Sequence, residues 1–299
     1  GLAGTGLVLQ NNGVDNLAVS ATGPFTATTA LAGGVAYSVS VLTQPTNPNQ
    51  TCTVTNGTGT VSATVTNVVV TCVTDTYRIS ATVSGLGGTG LVLRDNGGDN
   101  LPVPVNGTFT FTTPVASGAA YSVTVFTPPT NLSQTCAITN GSGTVIGADI
   151  TNVSIACTTN AFTVGGTVAG HNLSGLDLRL NGTTTLHVPG NGSFAFPAIV
   201  DGSTYSVLVS LQPIGQVCTV AFGSGTLAGA NVTNVAVTCA TNTFTIGGIV
   251  SGLSGTGLVL QNNGGNNLAI SANGAFTIAT PHACTPATHA NLLTPPPHV

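Results

Sequence analysis

The sequence repeats itself. Thr5-Gly6-Leu7-Val8-Leu9 returns 84 positions later as Thr89-Gly90-Leu91-Val92-Leu93, then as Ser174-Gly175-Leu176-Asp177-Leu178 and Thr256-Gly257-Leu258-Val259-Leu260. Ala-Tyr-Ser-Val around Tyr37 returns at Tyr121, and as Thr-Tyr-Ser-Val at Tyr205. A fixed period of this length means an array of equivalent folding units. The expected segmentation is repeat 1 at 1–74, repeat 2 at 75–159, repeat 3 at 160–241, and a partial repeat 4 at 242–299 with a divergent Pro- and His-containing tail. Copies of one module supply length, stiffness or many weak contacts, whereas an enzyme usually needs one special constellation.

Composition selects the class of module. The chain is 41% hydrophobic with mean hydropathy +0.43, so it can bury cores, unlike a disordered chain. Polar Thr, Ser, Asn and Gly break every apolar run well short of the roughly 18–20 residues of a transmembrane helix. Strong helix formers are scarce, while Val, Thr and Ile fit a pleated, half-buried surface. Forty Gly and 16 Pro supply turns. The expected class is all-β.

Charge is nearly absent: 3% of residues, with Asp the sole acid and Arg the sole strong base. A net charge of -4 offers no basic patch, so nucleic-acid binding is excluded as a function class. Charge repulsion normally opposes self-association. A surface coated with neutral Thr, Ser and Asn tolerates packing against copies of itself.

Six of seven cysteines form pairs 20, 21 and 21 positions apart, one pair per complete repeat. The first of each pair opens a strand-like stretch (Thr51-Cys52-Thr53-Val54-Thr55) and the second closes one (Val68-Val69-Val70-Thr71-Cys72). Bridges Cys52–Cys72, Cys136–Cys157 and Cys218–Cys239 are expected. Each closes a loop worth about 3 kcal/mol in the chain-entropy account. Metal binding is the competing reading, but no C-x-x-C or paired His accompanies the pairs. Bridges in every unit place the protein in an oxidising location, hence exported. Cys284 is expected to be unpaired: a free thiol in a degenerate repeat, or else an intermolecular bridge or a metal ligand.

Repeat 2 reads as about seven strands at intervals of about 8–12 residues, the spacing of a Greek-key sandwich. Strands are expected at 77–83, 90–94, 101–105, 108–112, 121–126, 135–139 and 153–157, with turns at Asn96-Gly97-Gly98-Asp99, Asn106-Gly107 and Asn140-Gly141-Ser142-Gly143. Phe109, Phe111 and Tyr121 are the largest expected core residues. A module this small has a limited core, which explains a staple in each.

Asn191-Gly192-Ser193-Phe194-Ala195-Phe196, then Gly202-Ser203-Thr204-Tyr205-Ser206-Val207, preceded by Gly165-Gly166-Thr167-Val168, resembles the transthyretin-like or Cna-B-like branch of bacterial immunoglobulin-like modules. Gly107, Phe109, Phe111 and Tyr121 match in repeat 2, and Gly23, Phe25 and Tyr37 more loosely in repeat 1. The resemblance implies a tandem array of seven-stranded Ig-like sandwiches, of the sort that builds adhesin stalks, pilus subunits and repeat-rich secreted proteins. Such modules often carry a Lys–Asn isopeptide crosslink. This chain has no Lys, so the disulfide takes the stapling role. No binding residue follows from the resemblance.

The ends differ from the middle. Repeats 2 to 4 open with a strand like 162–168, which repeat 1 lacks. Repeat 4 drifts after Phe276, with Thr288-His289-Ala290-Asn291-Leu292 where repeat 2 has its Tyr121 strand. A sandwich short of a strand exposes unpaired backbone and must be covered or polymerise. Two expectations stand side by side: head-to-tail strand complementation, in which repeat 4 of one subunit completes repeat 1 of the next, or an array trimmed from a longer one.

Catalytic chemistry has little support. There is no Glu, no G-x-S-x-G, no P-loop and no C-x-x-C-H. Asp95-Asn96-Gly97-Gly98-Asp99 superficially resembles a calcium loop, but its counterpart at 262–267 has no acid, and a turn explains it. His171, His187, His282, His289 and His298 fit no metal-site spacing. Asn106, Asn140, Asn152, Asn191 and Asn231 lie in N-x-S/T triplets. The Thr-rich stretch 51–66 is compatible with an ice- or carbohydrate-contacting face if its threonines form a flat array, and otherwise is an ordinary solvated strand face. The expectation is a non-enzymatic, cofactor-free structural subunit of an extracellular bacterial fibre whose partners are copies of itself. The alternative is an adhesin stalk carrying a binding domain outside this chain.

Overall fold

Alternation of apolar and hydroxyl residues drives the chain into strands whose two faces separate cleanly. In Leu91–Asp95 and Ile79–Ser84 the buried residues fall at every second position, the period of a strand with one face on a core. The computed structural model describes residues 1–262, 264–283 and 290–294, with backbone alone at 282 and 290–294. Among these residues the chain is all-β, without a helix. It divides into two compact units, Gly1–Asn160 and Ala161–Val299.

Repeat 2, in the first unit, is a sandwich of two four-stranded sheets. One, the cystine sheet, runs in the order Gly107–Thr110, Ile79–Ser84, Ile150–Thr159, Gln134–Thr139. The other runs Asp99–Val103, Leu91–Asp95, Ala120–Thr127, Ser142–Thr144. Ile79–Ser84 and Ile150–Thr159 are parallel, while the other ladders of the repeat are antiparallel. The main strands number eight, against the expected seven or so. The extra one is Ser142–Thr144, whose Ser-Gly-Thr sequence carries no hydrophobic alternation and reads as a turn.

Between the sheets lie Ile79, Ala81, Val83, Leu91, Leu93, Phe111, Val123 and Ile155, all nearly inaccessible. Burying each large side chain contributes about 1.5–3 kcal/mol. Tyr121 joins this core, while Phe109 is only half-buried. Asn96 and Gly97 take the left-handed conformation (φ 47° and 71°) that the hairpin of Leu91–Asp95 and Asp99–Val103 needs.

The Tyr signature has a local cause. Tyr121 lies over Gly143 of the short strand, so a Cβ there would meet its ring at 3.0 Å. The Tyr121 hydroxyl donates to the Asn140 carbonyl at 3.2 Å. Tyr37 over Gly59 and Tyr205 over Gly225 repeat the stacking.

Repeat 3, in the second unit, copies both sheets. The cystine sheet is Gly192–Ala195, Val164–Ala169, Val232–Thr241, Gln216–Ala221; the other is Thr184–Val188, Leu176–Leu180, Thr204–Leu211, Ser224–Thr226. Repeat 4 contributes two pieces: Thr243–Val250 paired with Gly274–Ala283, and Leu258–Asn262 between Gly265–Ile270 and Ala290–Thr294. Ala290–Thr294 pairs with Leu258–Asn262 as Ala36–Thr43 pairs with Leu7–Asn11, so this strand is kept although the Tyr signature is gone.

Repeat 1 is asymmetric. Its second sheet has all four strands: Asp15–Val19, Leu7–Asn11, Ala36–Thr43 and Thr58–Thr60. Its cystine sheet has two, Gln50–Thr55 and Val69–Thr74. Repeats 1 and 2 are joined by a short hydrogen-bonded connection. Asn49 N–H donates to the Ser117 hydroxyl (2.9 Å), Asp75 N–H to Asn49 O (3.0 Å), and Ser117 N–H to Asp75 O (2.8 Å).

Candidate functional site

The six paired cysteines lie on the last two strands of each cystine sheet. Cys52 faces Cys72, Cys136 faces Cys157 and Cys218 faces Cys239 in direct register. Their Cα atoms are 4.0, 3.9 and 3.9 Å apart, and the sulfurs are bonded. Three intramolecular bridges fit an oxidising compartment. Cys284, His289 and His298 lie outside the described residues.

Two positions before the first cysteine of each pair sits a buried glutamine that sequence reading passes over. Gln134 is 6% exposed. Its Oε1 accepts N–H donors from Gly87 (2.9 Å) and Gly88 (2.8 Å). Its Nε2 donates to Gly85 O (2.9 Å) and Thr159 Oγ1 (3.2 Å). Gln50 makes the same four bonds to Ala3, Gly4, Gly1 and Thr74, and Gln216 to Asn172, Leu173, Gly170 and Thr241. One amide thereby satisfies a loop that has no ladder of its own. The signal was available: a lone Gln at the same distance before each Cys pair.

The acids of the calcium-like loop are occupied by protein donors. Asp99 accepts the Thr112 hydroxyl (3.0 Å) and Thr113 N–H (2.7 Å). Burial pushes its carboxyl up, but these hydrogen bonds outweigh burial and hold it below the usual range. Asp15 is held low by Thr28 and Thr29 in the same manner. Asp95 is different. It is 3% exposed, accepts Ser122 N–H at 3.0 Å, and burial pushes its carboxyl up. Asn11 stands in its place in repeat 1 and accepts Ser38 N–H.

The histidines do not converge. His187 Nδ1 lies 2.8 Å from Asp177 on an exposed strand. His171 is 4% exposed, in the position that Leu86 holds in repeat 2, and neither ring nitrogen has a hydrogen-bond partner. Among the described residues no three His, Cys, Asp or Glu group together. Of the N-x-S/T asparagines, Asn106, Asn140, Asn191 and Asn231 spend their side-chain amides on backbone groups.

The outer face of the cystine sheet in repeat 2 is uncharged. Thr108 and Thr110, Ser80 and Thr82, Ser154 and Thr158, and Thr135 and Thr139 form rows across its four strands. Thr82 and Thr108 hydroxyls pair at 3.0 Å, and Ser80 and Thr110 at 2.8 Å. In repeat 1 the corresponding face is reduced to two strands, with Thr51, Thr53 and Thr55 exposed.

A concavity opens on one side of repeat 1. Where repeat 2 has Ile79–Ser84 against its last strand, repeat 1 has a cavity of about 960 Å³. Leu7, Leu9, Val19, Phe25, Val39 and Val70 line it. The last strand spans Val69–Thr74, six residues, against ten in Ile150–Thr159 and in Val232–Thr241. Its four-residue shortfall falls on the stretch that would run beside the absent strand.

No family model matches the chain, and no curated protein does. Among solved structures it is similar to the Bacillus anthracis TIE protein, at 10% identity and a TM-score of 0.49. That likeness covers 98% of this chain and 64% of the other, so the chain spans less than two thirds of the structure it matches.

Proposed function

We propose that this chain is a structural segment of an extracellular bacterial fibre, built from disulfide-stapled Ig-like modules of the transthyretin or Cna-B kind and joined to copies of itself head to tail. The observation that supports this best is the repetition itself: two successive sandwiches carry the same two four-stranded sheets, each stapled by one bridge in the same register. Stacked copies of one module supply length and stiffness.

The uncharged Ser/Thr face supports lateral packing of copies, because nothing on it repels a neighbour. An extracellular location follows the three bridges. The second reading, an adhesin stalk, draws on the hydrogen-bonded connection between repeats 1 and 2, which suits a stiff spacer.

Electron microscopy of the purified chain at rising concentration separates the two. Regular polymers from this chain alone support the fibre. A rod that stays monomeric at every concentration supports the stalk and removes the homopolymer.

A further inference from the structure

We propose that the free edge of Gln134–Thr139 in repeat 2 is a lateral contact between copies of this chain, and that its occupant is the same edge of a second copy, running antiparallel about a two-fold axis. The inference goes beyond the fibre reading: it concerns the side of a complete internal repeat and holds for a fibre and a stalk alike.

The first-cysteine strand is an outer strand of the cystine sheet in all three stapled repeats. Its cysteine faces the second cysteine directly across the ladder. Opposed residues of an antiparallel ladder alternate between bonded and unbonded pairs. The cysteines form an unbonded pair, so their own N–H and C=O point to the free edge. Repeats 1 and 3 show what belongs there. Gln44 Oε1 accepts Cys52 N–H at 2.7 Å, and Gln44 Nε2 donates to Cys52 O at 3.1 Å. Gln212 does the same for Cys218, at 2.8 and 3.0 Å. A carboxamide carries the donor and the acceptor of a peptide group. Each glutamine therefore stands where a peptide unit of an adjoining strand would lie.

Repeat 2 lacks this plug. Gln44-Pro45 and Gln212-Pro213 correspond to Pro128-Pro129, and the Pro128 ring has neither donor nor acceptor. Cys136 is only half-buried, whereas Cys52 and Cys218 are 3% exposed. Backbone groups uncovered along an edge are a template for another strand.

The remaining edges of repeat 2 are blunted. Asp99–Val103 carries Asp99 and Pro102, Gly107–Thr110 has four residues, and Ser142–Thr144 has three. Gln134–Thr139 has six, with no charge, no proline and no bulge in its ladder. That composition selects a second copy as occupant. A two-fold axis at Cys136 lets Cys136 and the partner's Cys136 exchange both N–H···O bonds, while Gln134 pairs with the partner's Ile138. Thr135 then lies opposite the partner's Ala137 on the outer face. Identical strands meet there without charge repulsion. The contact is isologous and closes on itself, joining two four-stranded cystine sheets into one continuous sheet.

The test uses the full chain. Sedimentation velocity at rising concentration should show a monomer–dimer equilibrium, and amide exchange at Cys136 and Ile138 should slow as the dimer forms while Cys52 and Cys218 are unchanged. Pro128→Gln supplies the missing amide and should weaken the dimer about tenfold or more. Pro128→Ala removes the ring without supplying the amide and should dimerise as the native chain does. Thr135→Asp with Ala137→Asp sets like charges opposite each other and should abolish the dimer. Mixing that chain with one carrying Thr135→Lys and Ala137→Lys should restore it as a heterodimer. A chain that is monomeric at every concentration, association that leaves Cys136 exchange unchanged, or a Pro128→Gln dimer as tight as the native one overturns the site. So does a Pro128→Ala chain as weakened as Pro128→Gln. Dimers that never lengthen support the site while removing the homopolymer. Head-to-tail polymers that form without Cys136 protection overturn the site and leave the fibre reading intact.

Discussion

Gln134 offers the sharpest quantitative test of how these modules hold together. Gln134→Ala removes four hydrogen bonds in a buried setting. Gly87 N–H, Gly88 N–H and Gly85 C=O lose their partner. Each buried group left unsatisfied costs about 1–3 kcal/mol. Water entering the vacated space recovers part of this, leaving an expected loss of about 3–4 kcal/mol. A module of this size is worth about 4–13 kcal/mol in total, so at least about a quarter of its margin goes.

Global denaturation of a multi-domain chain has no single two-state reading. Native-state hydrogen exchange is the better assay, because Gln50 and Gln216 keep repeats 1 and 3 as controls in the same molecule. Protection across Ile79–Ser84 and Gln134–Thr139 should fall by about 3–4 kcal/mol while Val164–Ala169 is unmoved. A loss below about 0.5 kcal/mol, the scale of an ordinary surface change, would refute the lock. Gln134→Glu adds a sign check. Burial raises a carboxyl that has no cationic partner. The variant should therefore be most stable below the unfolded Glu value of about 4.3 and lose stability as pH rises through its higher folded value.

Three further outcomes are expected. His171→Leu places the Leu86 side chain type in a site whose ring nitrogens are unpartnered, and should raise the stability of repeat 3 by about 1–2 kcal/mol in the same exchange experiment; a destabilisation would show that the ring is needed. The double change Cys136→Ala and Cys157→Ala opens a loop with a 21-residue separation and should cost repeat 2 about 3 kcal/mol, read from exchange against the intact bridges of its neighbours. Asp95→Asn should stabilise repeat 2 at neutral pH and matter least in acid: the folded carboxyl sits above its unfolded value, so the native acid loses stability as pH rises through that range, and the amide does not. A pH-independent difference would remove burial of the carboxylate as its cause.

What was legible in the sequence follows its periodicities. Period-2 alternation identified Ile79–Ser84 and Ala120–Thr127, and Asn96-Gly97 marked a turn that needs two left-handed residues. The same rules hid Ser142–Thr144, because a strand that serves as a seat for Tyr121 needs a glycine where the pattern asks for a hydrophobe. They hid Gln134 as well. Three of its four partners lie 46 to 49 residues earlier and are backbone atoms, which leave no mark in sequence. Asp95 looked like a loop acid beside Asp99, but the last residue of Leu91–Asp95 falls on the inward face. The concavity of repeat 1 was foreseen only as a missing strand. Its depth depends on the second sheet of repeat 1 keeping four strands beside a two-stranded cystine sheet, which no local pattern reveals.

The parallel pairing of the first and last long strands has a mechanical consequence. In repeat 2 the chain enters along Ile79–Ser84 and leaves along Ile150–Thr159, side by side in one sheet and pointing the same way. Tension applied through the neighbouring repeats pulls those strands past each other, so their ladder is loaded in shear, all bonds together, and does not unzip one bond at a time. If the shear yields, Cys136–Cys157 withholds the loop between them, about 70 Å of contour at roughly 3.4 Å per residue, from the stretched chain. A module so wired gives up about three quarters of its contour and keeps the last quarter locked behind the bridge.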